Sequence, residues 1–176
     1  EKSTTVNYRG MMEDVSEGNT LVVDNGALLM KIEQVSSDRI LCVVKTPGKL
    51  GNRRHINLPG VRLNLPALTD KDYDDLALAV DCKADFIAGS FVRDAAHVVA
   101  LREAMEGRGG DAKLIAKVED QEAIRNMDAI IKEADIIMIA RGDLGTEVEF
   151  EELPLLQRRL VKRCHELSKR VIDSSS

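Results

Sequence analysis

Cysteine is scarce in this 176-residue chain, and the three present, Cys42, Cys82 and Cys164, lie far apart with no C-x-x-C pair. They build no disulfide framework and fit a reducing compartment with buried thiols. Proline is scarce too, at four, beside 44% apolar and 31% charged residues, which excludes wholesale disorder. There is no basic excess: the formal net charge of -5 argues against a general polyanion binder, so no nucleic-acid partner is expected. A metal ion can still bring a phosphate-bearing ligand to an acidic surface. Long apolar runs are missing as well, since stretches such as "IIMIA" are far too short to span a bilayer, and the N-terminus has no signal-peptide pattern.

What is present is enough chain for one ordinary domain or parts of two. From Tyr8 to about Val44 it reads as short strands, "TLVVD", "ALLMKIEQV" and "RILCVVK", broken by turn residues as in a small all-β module. The stretch 46–60, "TPGKLGNRRHINLPG", is rich in Gly, Pro and basic residues without periodicity and reads as the exit from that module. After Pro66 the texture changes to alternating strand and helix. Thr69, with Asp72 three residues on, can cap a first helix, and Asp94 a second whose apolar side includes Val98, Leu101 and Met105. Strands are expected at 85–91, 113–119 and 135–140. A helix carrying Ile124, Met127, Ile130 and Ile131 falls between the last two, and a long amphipathic helix at 151–169.

Three short, nearly apolar strands separated by helices imply parallel βα units, because a parallel connection needs a crossover. In such folds ligands gather at the C-terminal ends of strands, where loops carry polar residues without burying them.

Two strand ends here turn from apolar to charged: "LIAKVEDQE" at 114–122 and "MIARGDLG" at 138–145. Side chains alternate along a strand, so Lys117 and Glu119 share a face. If the next strand is a parallel neighbour about 5 Å away, Asp143 approaches Glu119. Two ionised carboxylates repel, and a divalent cation removes the repulsion; an all-oxygen pair with room for water and substrate suits Mg²⁺ or Mn²⁺. Lys117 would offer a concentrated charge to a phosphoryl oxygen. Gly142 and Gly145 admit unusual backbone angles, leaving N–H groups of a 142–144 turn free for an anion. Arg141 could clamp that anion or hold the two acids. Plainer readings stand beside these: a Lys/Glu salt bridge, an ordinary "GDLG" turn, Ser90 as a cap, and His97 and His165 as solvated helix residues.

The segments "GNRRHINLPG", "LPALTDKDYDDL", "DFIAGSFVRDA", "KLIAKVEDQEAIRNMDAII" and "ADIIMIARGDLGTEVEFEELPLLQRRLVKRC" resemble, in order and spacing, signature segments of the pyruvate kinase family. The resemblance covers nearly the whole chain. It implies an α/β fold: residues 1–58 as part of a β-barrel lid domain, and 59–176 as part of a catalytic (β/α)₈ TIM barrel, about strands four to six with their helices. It also implies phosphoryl transfer from phosphoenolpyruvate to ADP, giving pyruvate and ATP, with Mg²⁺ or Mn²⁺ and K⁺.

Carried over residue by residue, the resemblance makes Glu119 and Asp143 the divalent-metal ligands and Ser90 a residue at the monovalent cation, with Phe91 at the pocket wall. Lys117 and Arg141 become catalytic, Lys117 stabilising the phosphoryl group and Arg141 supporting the turn, while Gly142 and Asp143 hold the substrate carboxylate. Arg53 or Arg54 would reach the nucleotide phosphates. His55, where the family usually has glycine, looks like bacterial and plastid-type members, and Asn25 replaces an acid of the lid's "VDDG" turn. After "KRVI" this chain has "DSSS" in place of a threonine-containing strand, and the early barrel strands are not in the sequence. These 176 residues alone are therefore expected to be inactive and to self-associate, while the intact protein is expected to be a cytoplasmic homotetramer, with a plastid as the other location. A metal-dependent lyase or aldolase working through a pyruvate enolate, and a non-catalytic scaffold, are the alternatives.

Overall fold

The computed structural model describes residues 3–8, 10–24, 26–149 and 151–174. Asn25 of the lid turn and the last two serines of "DSSS" lie outside the described residues. The chain divides into two units, Glu1–Leu65 and Pro66–Ser176.

The first unit is a four-stranded antiparallel sheet in the order β3-β2-β1-β4, built from β1 (Thr20–Val23), β2 (Leu28–Val35), β3 (Ile40–Val44) and β4 (Ile56–Asn57). β1 and β2 form a hairpin with Thr20 opposite Lys31 and Val23 opposite Leu28. Gly26 sits in its turn at φ +92, a conformation that strains side chains other than glycine's hydrogen. Two features depart from the reading of short strands followed by an aperiodic exit. A one-turn helix, α1 (Met11–Asp14), adds Met11 and Val15 to the core of Leu21, Ile32 and Leu58. The two-residue β4 pairs with Val22 and Val23 inside the stretch read as an aperiodic exit. Both elements are too short to display a period. Because Leu58 is in this core and Val61 and Leu63 pack against it, the unit runs to Leu65, beyond residue 58.

The second unit is α/β. Strands β5 (Phe86–Gly89), β6 (Lys113–Val118), β7 (Ile136–Ala140) and β8 (Arg170–Ser174) pair wholly in parallel and in chain order, as in a section of a (β/α)₈ barrel. The fourth strand is a correction to the three expected: "RVIDS" pairs with β7 from Ile136↔Arg170 to Ala140↔Ser174. The helices are α2 (Asp70–Asp81), α3 (Ala95–Glu106), α4 (Gln121–Arg125), α5 (Met127–Glu133), α6 (Arg141–Glu147) and α7 (Leu153–Glu166). Their starts follow from side-chain caps. Thr69 and Asp72 form a reciprocal capping box, Asp94 accepts from His97 N–H, and Asp120 accepts from Ala123 N–H. The single helix expected across Ile124 to Ile131 is broken at Asn126, whose side-chain amide donates to the Arg93 carbonyl at 2.9 Å.

The sheet has two unlike faces. Leu114, Ala116, Val118, Ile137 and Ile139 are buried under Leu76, Val98, Leu101, Met105, Ile130, Ile131, Leu160 and Cys164 of the helices. Gly89 on this side allows Leu101 close: a Cβ there would lie 2.6 Å from Leu101 Cδ1. The alternate residues form the other face, and Phe86 and Ile172 at its two edges stay 53% and 39% exposed. Of the cysteines only Cys164 is buried; Cys82, at the end of α2, is exposed, and Cys42 is intermediate.

His165 is exposed, but His97 in the first turn of α3 is half-buried, not solvated. Burial pushes its pKa down, and the Arg93 charge adds to this against the opposing pull of Asp94 and Asp72. The folded value lies below the unfolded one of about 6.5. Stability owed to neutral His97 is therefore fully present above about pH 6.5 and is lost as pH falls through the folded value. Urea unfolding of wild type and His97→Gln across pH 7.5 to 5 should show the wild type losing its relative advantage toward the acid end, and parallel profiles would refute this.

Candidate functional site

β6 delivers the first acid. Glu119, one residue past Val118, is 1% exposed, which an ionised carboxylate tolerates only with partners of opposite charge or hydrogen-bond donors. It has both. Its Oε1 lies 2.6 Å from Lys117 Nζ, and its Oε2 accepts the backbone N–H of Phe91. Lys117 Nζ also donates to Ser90 Oγ at 3.3 Å. Alternation thus puts Lys117 and Glu119 on one side as the sequence implied, and the loop after β5 supplies the third and fourth members of the cluster. Phe91 holds φ at +50, a left-handed conformation whose cost to a non-glycine residue is on the order of 1–3 kcal/mol.

β7 delivers the second acid. It pairs with β6 with Lys117 beside Met138 and Val118 beside Ile139, and Asp143 follows on the first turn of α6. Burial raises the Glu119 pKa above the usual carboxylate value, and the nearby Asp143 charge raises it further, while Lys117 and the Phe91 N–H pull it down. The two acids therefore feel each other's charge. Among the described residues no group of three or more His, Cys, Asp or Glu side chains could hold a metal. A cation here would be held by these two carboxylates, with its other positions left to water or substrate oxygens. Hard oxygen donors, carboxylate repulsion and a buried anion together fit a Mg²⁺- or Mn²⁺-sized ion.

Residues 141–147 are a helix where a turn was expected, and neither Gly142 nor Gly145 takes a positive φ. The free N–H groups survive for a different reason: the first turn of any helix leaves its N–H groups without intrahelical partners. Arg141 turns to neither Glu119 nor Asp143. Its Nε lies 3.2 Å from Asp173 Oδ1 on β8, close enough for an ion pair but not aligned for a hydrogen bond, so the buried N–H is left unsatisfied. Asp173 escaped the sequence reading, although "RVIDS" repeats the apolar-to-charged change of the other two strand ends. The Phe91 N–H left no signal at all, because a backbone donor has no letter.

In the first unit Arg53 and Arg54 are exposed, Arg53 at φ +55 and Arg54 donating to Asp24 Oδ1 at 3.2 Å.

The family model "Pyruvate kinase, barrel domain" matches residues 1–176. The chain belongs to the pyruvate kinase family. It is 40% identical over 174 residues to a pyruvate kinase of Bacillus licheniformis, covering 97% of this chain and 30% of the relative. It is 41% identical over 176 residues to the chloroplastic pyruvate kinase isozyme G of Ricinus communis, covering 100% of this chain and 42% of the relative. With the plastidial pyruvate kinase 3 of Arabidopsis thaliana it shares 41% over 174 residues, covering 99% of this chain and 30% of the relative. The chain thus spans well under half the length of these curated relatives. Within this pyruvate kinase segment, the mutual influence of the acids is directly measurable. Carboxyl-selective NMR titration should show the Glu119 midpoint moving down in Asp143→Asn; an unmoved midpoint would separate the two carboxylates.

Proposed function

We propose that this chain carries the metal and phosphoryl-stabilising part of a site that transfers a phosphoryl group from phosphoenolpyruvate to ADP, giving pyruvate and ATP, in the intact protein. The observation that carries the reading is the buried Glu119 carboxylate under the influence of Asp143, with the Lys117 ammonium 2.6 Å away. Membership of the family implies general dependence on Mg²⁺ and K⁺. Glu119 and Asp143 would hold Mg²⁺ or Mn²⁺. When bound, that ion supplies Lewis-acid neutralisation of phosphoryl and enolate oxygens.

The other roles belong to the chain itself. Lys117 sets a positive charge where the transferring group gains negative charge. The first-turn N–H groups of α6, at Gly142 and Asp143, bind the substrate carboxylate. Arg141, tied to Asp173, fixes the start of that turn against β8. Ser90 is proposed at the monovalent cation, in competition with the ammonium that its hydroxyl meets. Arg53 or Arg54, in the lid unit, is proposed to meet the nucleotide phosphates.

For the intact protein we propose a homotetramer. For residues 1–176 alone we propose self-association, which the exposed Phe86 and Ile172 and the outer edges of β5 and β8 support. Among the described residues no helix is long and apolar enough to cross a membrane. The proposed location is the cytoplasm, or a plastid, as the names of the plant relatives state for those proteins.

Mn²⁺ titration of the 176-residue chain by electron paramagnetic resonance is the test. Binding should be present in the wild type and lost in Glu119→Ala/Asp143→Ala; binding undiminished by the double substitution removes these ligands. In a coupled assay with phosphoenolpyruvate, ADP and Mg²⁺, purified 1–176 should yield no pyruvate, and measurable turnover would contradict its proposed incompleteness.

A further inference from the structure

Glu119 is nearly sealed from solvent, yet its two oxygens already have partners: Lys117 at Oε1 and the Phe91 N–H at Oε2. The Phe91 contact is backbone and cannot leave without moving the loop. The lysine contact is the tip of a long flexible side chain that is 23% exposed. Lys117 also has a second acceptor within reach, the hydroxyl of Ser90 at 3.3 Å, and Ser90 is exposed at the end of β5. The ammonium therefore stands between a buried anion and a neutral, wet hydroxyl.

We infer that Lys117 is a tethered counter-ion that occupies the cation side of Glu119 until a divalent ion displaces it, and that Ser90 is the place to which the displaced ammonium moves. The inference rests on the two-carboxylate metal reading above and adds an exchange to it. A carboxylate shared by an ammonium and a divalent ion brings two positive charges within a few ångströms of each other, so entry of the ion loosens the lysine. The loosened ammonium keeps a hydrogen bond only if Ser90 receives it. The consequence is an ordering device: Lys117 is released from Glu119, and free to face an incoming anion, only after the metal site is filled. Ser90 acts as a positioning residue through Lys117.

Mn²⁺ affinity, measured on the 176-residue chain by electron paramagnetic resonance in tetramethylammonium buffer free of K⁺, decides the matter through a double-mutant cycle. Lys117→Met should bind Mn²⁺ about tenfold more tightly than wild type, and Lys117→Arg, which keeps the charge, should not. Ser90→Ala should bind more weakly in the wild-type background and have no effect in the Lys117→Met background. Circular dichroism confirms folding of each variant. Should Lys117→Met fail to fold, Ser90→Ala in the Lys117→Arg background replaces that arm, and weakening there as in wild type is the expected result. Affinity unchanged or reduced in Lys117→Met, or a Ser90→Ala effect that persists without Lys117, would overturn the exchange while leaving the metal ligands standing. Wild type that binds no Mn²⁺ would overturn both the exchange and the reading beneath it.

Discussion

A carboxylate placed at the end of a buried strand sets terms that its surroundings must meet. Glu119 cannot draw on water for solvation, so positive charge and hydrogen-bond donors must come from the protein or from a bound ion. Two otherwise separate features answer that demand. Lys117 returns along the same strand two residues earlier, and the loop after β5 holds Phe91 in a left-handed conformation that presents its N–H. The Asp143 charge, brought near because α6 begins immediately after β7, works against them, and a cation shared by the two acids would relieve that opposition.

The parallel sheet makes the arrangement possible by dividing its labour between faces. Alternate residues of β6 and β7, such as Leu114, Ala116, Val118, Ile137 and Ile139, are committed to the helices, and apolar burial there supplies the stability of the unit. The intervening residues and the strand ends are left to carry Lys117, Glu119 and the residues that follow. Polar connections close the opposite ends of the strands. Asp135 accepts from Leu114 N–H and pairs with Arg102, and Lys169 donates to the carbonyls of Lys132 and Ala134. The ends that hold the scaffold and the ends proposed to hold the chemistry are thus different ends.

Much of this was legible in the sequence wherever a period or a cap had room to show itself. Thr69 with Asp72, Asp94 before a run of apolar positions, and the apolar strands ending in Lys117 and Glu119 are local patterns, and the family resemblance rests on the same segments. Three short elements were not legible: β4, α1 and β8 are fixed by pairing or packing with distant residues rather than by their own composition. The break at Asn126 depends on the Arg93 carbonyl, 33 residues away, and the partner of Arg141 on a strand not counted. Gly142 and Gly145 misled because glycine was read as conformational freedom, while the backbone there is an ordinary helix whose unpaired N–H groups come from its being a first turn.

The order of the strands carries a further consequence. In the parallel unit each strand lies beside the one that immediately precedes it in the chain, β6 on β5, β7 on β6 and β8 on β7. A growing polypeptide leaving the ribosome therefore meets each docking edge already made, and no strand waits for a later one to separate it from its neighbour. Assembly can advance from the amino end, one βα repeat at a time, with the edge of the newest strand as the template for the next.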